Sequence, residues 1–103
     1  MSDIKEDKFK HEQSLQFKVQ IKASRFFGLW AAVILGFSGA EAESYADQVV
    51  DADFEEPGFE DVLRKVAKDF RKSGASVNDK QMRRVLDEKI TEAKHAVTDG
   101  LKA

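Results

Sequence analysis

The chain has no cysteine and little proline or glycine, and each shortage excludes a class of structure. Without cysteine there is no disulfide framework, no thiolate metal site and no cysteine nucleophile. One proline and six glycines in 103 residues supply too few turns for an all-β sandwich or barrel. The main apolar run, residues 26–37, is shorter than the roughly 20 residues that a membrane-spanning helix needs. We therefore expect a soluble, intracellular, helical protein that does not insert into a membrane.

Positive charge is also missing from the middle of the chain. No lysine or arginine lies between residues 26 and 63, where nine carboxylates occur. The next segment, RKVAKDFRK at residues 64–72, carries five basic residues against one acid. The acidic middle would repel phosphate, so we expect no binding of nucleic acid. Blocks of both signs fit a protein partner whose surface also has patches of both signs.

The apolar run is preceded by an ambiguous pattern. Residues 15–23 alternate between apolar and polar side chains, which is typical of a half-buried strand. The stretch continues for about twenty residues without a turn signal, far longer than a strand, so we predict a helix that ends at Gly36. At 100° per residue its apolar residues fall on two nearly opposite faces, which indicates a helix buried between neighbours. One predicted face carries Leu15, Val19, Ala23, Phe26, Trp30, Val33, Ile34 and Phe37, and the other carries Phe17, Ile21, Gly28, Ala31 and Leu35.

Two further amphipathic helices follow in the sequence. The capping-box pattern SGAE at residues 38–41 starts the second helix, and the EEPG motif at residues 55–58 ends it. The third helix is predicted at about residues 59–72. It has acids in its first turn and bases in its last, as the helix dipole prefers, and Gly74 supplies its stop.

The motif SVND at residues 76–79 starts a fourth helix, which we expect to run to Gly100. Four amphipathic helices with short connections predict an all-α fold, a four-helix bundle with a long first helix. We assign residues 15–103 to the bundle and residues 1–14, which are charged on all sides, to a flexible N-terminal arm. This arm is either a frayed, solvated helix end or a segment that becomes ordered against a partner.

Catalytic motifs are missing, and we expect no enzyme. The sequence has no P-loop, no dinucleotide fingerprint and no glycine-framed serine elbow. Glu92 and His95 in EAKH form half of the Glu-x-x-His signature of di-iron bundles, but the second half is missing, so we expect no metal site.

One group of side chains has the chemistry to bind a nucleotide. Trp30 can pack against an adenine ring, while Lys22, Arg25, Arg64 and Lys65 can pair with its phosphates. A tryptophan in such a helix is, however, more often a core residue. We therefore treat these five residues as a hypothetical nucleotide site, with ADP or ATP as a regulatory ligand and no required cofactor.

Three motifs resemble one protein family. They are GLWAA at residues 28–32, YADQVVDADFEEPG at residues 45–58 and EDVLRKVAKDF at residues 60–70. They are similar to the zeta subunit, the ATPase-inhibitor subunit of alphaproteobacterial F-type ATP synthase. The resemblance covers nearly the whole chain from about Phe9 onward.

The resemblance implies a function as well as a four-helix bundle. It implies that the N-terminal segment blocks ATP hydrolysis by entering a catalytic interface between α and β subunits, beside the rotor subunit γ. It also implies an adenine-nucleotide site on the bundle, and a cytoplasmic location on the membrane-bound ATP synthase. The match of FKHEQSLQFK to the family pattern implies that the ATPase is contacted by Phe9, Lys10, His11, Glu12, Phe17 and Lys18.

Two alternatives stay open. Family members usually begin with a longer arm than MSDIKEDKFKHEQ, so the protein is alternatively an adenine-nucleotide-sensing bundle with weak or no inhibition. It is otherwise a helical adaptor that docks through the acidic stripe Asp47, Asp51 and Glu55 of its second helix.

Overall fold

The computed structural model describes the backbone of residues 2–52 and 58–102 and the side chains of residues 15–52 and 58–99. Its four helices are α1 (Ser2–Ile34), α2 (Ala40–Ala52), α3 (Glu60–Ser73) and α4 (Asp79–Lys102). The described residues contain no strand. The prediction of an all-α four-helix bundle is therefore confirmed, and the alternating pattern before the apolar run lies within α1.

The helix α1 has 33 residues and includes residues 2–14, which the sequence analysis assigns to a separate arm. The flexibility of that segment stays a prediction. The EEPG motif that predicts the end of α2 covers residues 55–58, of which residues 55–57 lie outside the described residues.

Two glycines end helices where the sequence predicts. Gly36 has φ 89°, and the amide of Phe37 donates to the carbonyl of Ala32 at 2.9 Å. Gly74 has φ 77°, and the amide of Ala75 donates to the carbonyl of Phe70 at 3.0 Å. A positive φ is inexpensive only for glycine, so both residues form the left-handed turn that closes a helix.

The start of α4 is fixed by hydrogen bonds and ion pairs. The Gln81 amide donates to Asn78 Oδ1 at 2.8 Å, and the Asn78 amide donates to Gln81 Oε1 at 3.0 Å, which is a reciprocal capping box. Arg83 donates to both carboxylate oxygens of Glu60 on α3, at 3.0 and 3.3 Å, and to Asp79 at 2.8 Å. The hydrogen bonds and charge of Arg83 lower the pKa of Glu60. The helix continues past Gly100, so its predicted end was wrong by two residues.

The core lies between the four helices, and α1 packs along both α2 and α4. Its largest fully buried apolar side chains are Phe27, Phe70, Val49, Val62 and Val66.

The predicted faces of α1 were partly wrong. Val33 is 72% exposed and Phe17 is 52% exposed, whereas Phe27 and Ala32, which belong to neither predicted face, are fully buried. Apolar residues surround α1 near its end, so their periodicity does not define which side meets the neighbouring helices.

The helix α1 packs tightly against α2 at Gly28. A Cβ atom at this residue would lie 2.9 Å from the Cα of Ala46 and 3.1 Å from the Cβ of Val49. The nearest of these atoms belongs to the backbone, so only a shift of a whole helix would make room.

We predict that Gly28→Ala destabilises the bundle. Alanine has a higher helix propensity by about 1 kcal/mol, but overpacking against a backbone costs roughly 1–3 kcal/mol, so the clash should prevail. Urea unfolding followed by circular dichroism measures the free energy of unfolding. A value equal to or above that of the unchanged protein would contradict the close packing of α1 on α2.

The buried hydroxyl of Ser24 gives a second prediction. Ser24 is fully buried, and its Oγ has no hydrogen-bond partner among the described residues. Burial of an unpaired hydroxyl costs roughly 1–3 kcal/mol, so Ser24→Ala should raise the free energy of unfolding by about 1 kcal/mol. The exposed Ser44→Ala, measured in the same urea series, is the control and should change it little. A loss of stability in Ser24→Ala would show that the hydroxyl has a partner.

Candidate functional site

A groove of about 570 Å³ lies between α1 and α4. We call it the α1–α4 groove. Its apolar part is formed by Ile21, Phe26 and Val97, which are all partly exposed. Lys18 and Lys22, one helical turn apart on α1, are exposed at its edge and form no ion pair with a described residue. The groove therefore combines an apolar surface with two positive charges that no described residue neutralises.

Arg25 lines the same groove, but its charge is already paired. Its guanidinium group donates to Glu43 and to Asp47, both on α2. This ion pair connects α1 to α2 and occupies Asp47, one member of the predicted acidic stripe. Asp51 is exposed, and Glu55 lies outside the described residues.

A second groove, of about 490 Å³, runs along α3 beside the end of α2. We call it the α3 groove. Arg64 donates to Asp61 at 2.7 Å, while Lys68 and Lys72 form no ion pair with a described residue. The side chain of Asp61 is only 10% exposed, and its Oδ2 has no hydrogen-bond partner among the described residues. The groove is thus rich in cations and contains one buried carboxylate oxygen that receives no hydrogen bond from a described residue.

A polar cluster connects α2 to α3 next to this groove. The hydroxyl of Tyr45 donates to Asp69 at 2.7 Å, and Lys65 donates to the same carboxylate oxygen at 3.2 Å. The ammonium group of Lys65 also lies 5.3 Å from the centre of the Tyr45 ring. Burial raises the pKa of Tyr45 far above its ordinary value, and the hydrogen bond and negative charge of Asp69 add to the effect.

The five residues of the hypothetical nucleotide site are not brought together. Lys22 and Arg25 line the α1–α4 groove, whereas Arg64 and Lys65 line the α3 groove. The Trp30 ring packs against core aromatics, stacked on Phe27 at 5.3 Å between ring centres and edge-on to Phe70 at 5.7 Å. The binding of a nucleotide by this set stays a prediction.

Two of the residues predicted to contact the ATPase have described side chains. Phe17 is half-exposed, and Lys18 is exposed and lines the α1–α4 groove. The side chains of Phe9, Lys10, His11 and Glu12 lie outside the described residues, although their backbone belongs to α1.

Sequence reasoning missed a third groove, of about 520 Å³, where α1 ends and α2 and α3 meet. Phe37 and Tyr45 line it, with ring centres 5.7 Å apart, together with Asp69 and Lys72. These residues are distant in the sequence and form no motif, so no sequence signal identifies the groove.

The described residues show no metal centre and no membrane span. No three histidine or acidic side chains among them are placed to hold a metal ion, and Glu92 of the EAKH motif pairs with Lys89 at 3.3 Å. No helix among these residues is long and apolar enough to cross a bilayer.

The fold and the grooves define a class of protein: a small helical bundle whose accessible sites suit binding. Within that class, the chain belongs to the family of the ATPase inhibitor subunit zeta, whose family model matches residues 2–96. The identification made from the three sequence motifs is thereby confirmed, and with it an inhibitory, regulatory role at an F-type ATPase.

A solved structure, determined by NMR in solution, is similar to this protein. It is 40% identical in sequence, has a TM-score of 0.74, and covers 84% of this chain and 98% of its own. Comparison with the curated proteins gives no match.

The contact between Tyr45 and Asp69 gives a testable pH dependence. Tyr45→Phe removes a buried hydrogen bond to a carboxylate, which should lower the free energy of unfolding by roughly 1.5–3 kcal/mol at neutral pH. The raised pKa means that Tyr45 stabilises the fold fully below the unfolded-state pKa of about 10, and progressively less at higher pH. The difference between the two proteins should therefore shrink above pH 10.

Tyr45 is the only tyrosine, so its ionisation can be followed by absorbance. The phenol should titrate near pH 10 in urea and well above that in the folded protein. A folded protein that titrates near pH 10 would contradict the buried contact.

Proposed function

We propose that this protein inhibits ATP hydrolysis by inserting the N-terminal part of α1 into a catalytic interface between the α and β subunits, beside γ, of an F-type ATPase. The main support is that α1 continues as one helix from Ser2 to Ile34. A helix of 33 residues is about 50 Å long, close to the 57 Å longest dimension of the molecule. The helix therefore extends over most of the length of the molecule.

The dimensions suggest how far insertion can proceed. A single helix is about 10–12 Å wide, whereas the whole molecule measures 28 by 22 Å across its shorter axes. A cleft that accepts one helix therefore excludes the bundle, which stops insertion near Leu15. A segment that is helical before insertion also loses less conformational entropy on binding than a disordered one.

The alternative function is that of an adenine-nucleotide-sensing bundle with weak or no inhibition. The α3 groove supports it, because four cationic side chains line this groove. Arg64 and Lys65 pair with Asp61 and Asp69, whereas Lys68 and Lys72 form no ion pair with a described residue. In either case we place the protein on the cytoplasmic side of the membrane, next to the ATP synthase, without a catalytic role of its own and without a required cofactor.

Deletion of residues 1–14 tests the proposal. The full-length protein should inhibit ATP hydrolysis by the cognate, membrane-detached ATPase, and the shortened protein should lose most of that inhibition. Hydrolysis is measured by a coupled assay over a range of protein concentrations. Circular dichroism and thermal melting of the shortened protein serve as controls for a folded bundle.

Two outcomes would contradict the insertion mechanism. Equal inhibition by both proteins would place the inhibitory surface on the bundle. No inhibition by either, together with ADP-induced shifts of amide resonances in α3, would favour the nucleotide-sensing alternative.

A further inference from the structure

We infer that the α1–α4 groove is a second contact with the ATPase, and that it receives a helix of the partner carrying two carboxylates one turn apart beside apolar side chains. This inference rests on the proposed function, because the partner is the same protein that accepts the N-terminal part of α1. It assigns a binding role to the bundle itself, including α4.

The first argument is the charge of the groove. The third cation that lines the groove, Arg25, is already paired with Glu43 and Asp47. Lys18 and Lys22 form no ion pair with a described residue, and both are exposed. Two ammonium groups one turn apart match carboxylates one turn apart on a facing helix, and such complementarity favours association and fixes the register.

The second argument is the apolar surface between these charges and α4. Ile21 and Phe26 of α1 and Val97 of α4 are only partly buried, although they are adjacent in one groove. Covering such a surface removes apolar area from water, which is the main favourable contribution to most protein association. A purely ionic ligand would leave this surface uncovered.

The third argument is size and position. From Lys18 to Phe26 the groove follows α1 for about 12 Å, or two helical turns, which suits a helix better than a compact ion. Lys18 lies one turn after Ser14 on the same continuous helix. When residues 2–14 are inside the catalytic interface, the groove therefore lies at the entrance, where the partner's surface begins.

Charge reversal in the full-length protein tests the inference. Lys18→Glu with Lys22→Glu should raise the concentration needed for half-maximal inhibition about tenfold or more, because attraction is replaced by repulsion. The matched control is Lys80→Glu with Arg84→Glu. These residues are also exposed, one turn apart, and without an ion pair to a described residue, but they lie outside the groove. The control variant should change the concentration needed for half-maximal inhibition by less than twofold.

A variant on α4 separates the groove from the N-terminal segment. Ala96 lines the groove from α4, so Ala96→Glu places a long acidic side chain in it without altering α1. We expect weaker inhibition by Ala96→Glu and unchanged inhibition by Thr98→Glu, its exposed neighbour on the same helix. Thermal melting of each variant shows whether the bundle remains folded.

A measurement on the unchanged protein does not depend on the folding of variants. In the complex with the ATPase, Lys22 should become protected from acetylation, while Lys80 stays reactive, as read by mass spectrometry. Inhibition by the unchanged protein together with acetylation of Lys22 at the free rate would overturn the inference and leave the proposed function intact. Equal weakening of inhibition by the two double variants would also overturn the inference, because it would show a general effect of added negative charge and not a contact in the groove. Absence of inhibition by the unchanged protein would instead reject the proposed function.

Discussion

The packing of α1 against α2 at Gly28 is the constraint on which the rest of the bundle depends. The Cα of Ala46 lies so close to Gly28 that no side chain fits between the two helices. This contact fixes the rotation of α1, and the rotation decides which residues enter the core. Phe27 and Ala31 then point inward, while Lys18 and Lys22 reach the surface beside α4.

The same rotation separates the cations into two groups with different roles. Arg25 meets the carboxylates of α2 and stabilises the pair of helices. Lys22, three residues earlier, is exposed and forms no ion pair with a described residue. A fold with a small negative net charge thus presents a local positive surface, because its own acids are held elsewhere.

Local signals in the sequence predicted the ends of α1 and α3, whereas the orientation of α1 needed the structure. Gly36 and Gly74 end helices because the left-handed conformation is a property of the residue itself. The inward face of α1 depends on how closely the neighbours approach, and near its end almost every side chain is apolar. The buried face includes the small residues Ser24, Gly28 and Ala32 as well as Phe27, while Val33 is exposed. The nucleotide set was chosen by residue type, and the fold divides it because Lys22 and Arg25 line the α1–α4 groove while Arg64 and Lys65 line the α3 groove. The family was identified from longer motifs, whose specificity does not require knowledge of the packing.

The unbroken course of α1 has a mechanical consequence. Helices bend sharply at proline and glycine, and the sequence from Ser2 to Phe27 contains neither. A force applied to the N-terminal end is therefore transmitted along a stiff rod to the first glycine of α1, at Gly28. At Gly28 the helix packs directly against the backbone of α2. The force is therefore distributed over the bundle and does not bend α1 at this glycine. The packing of the whole bundle therefore resists displacement of the N-terminal end of α1.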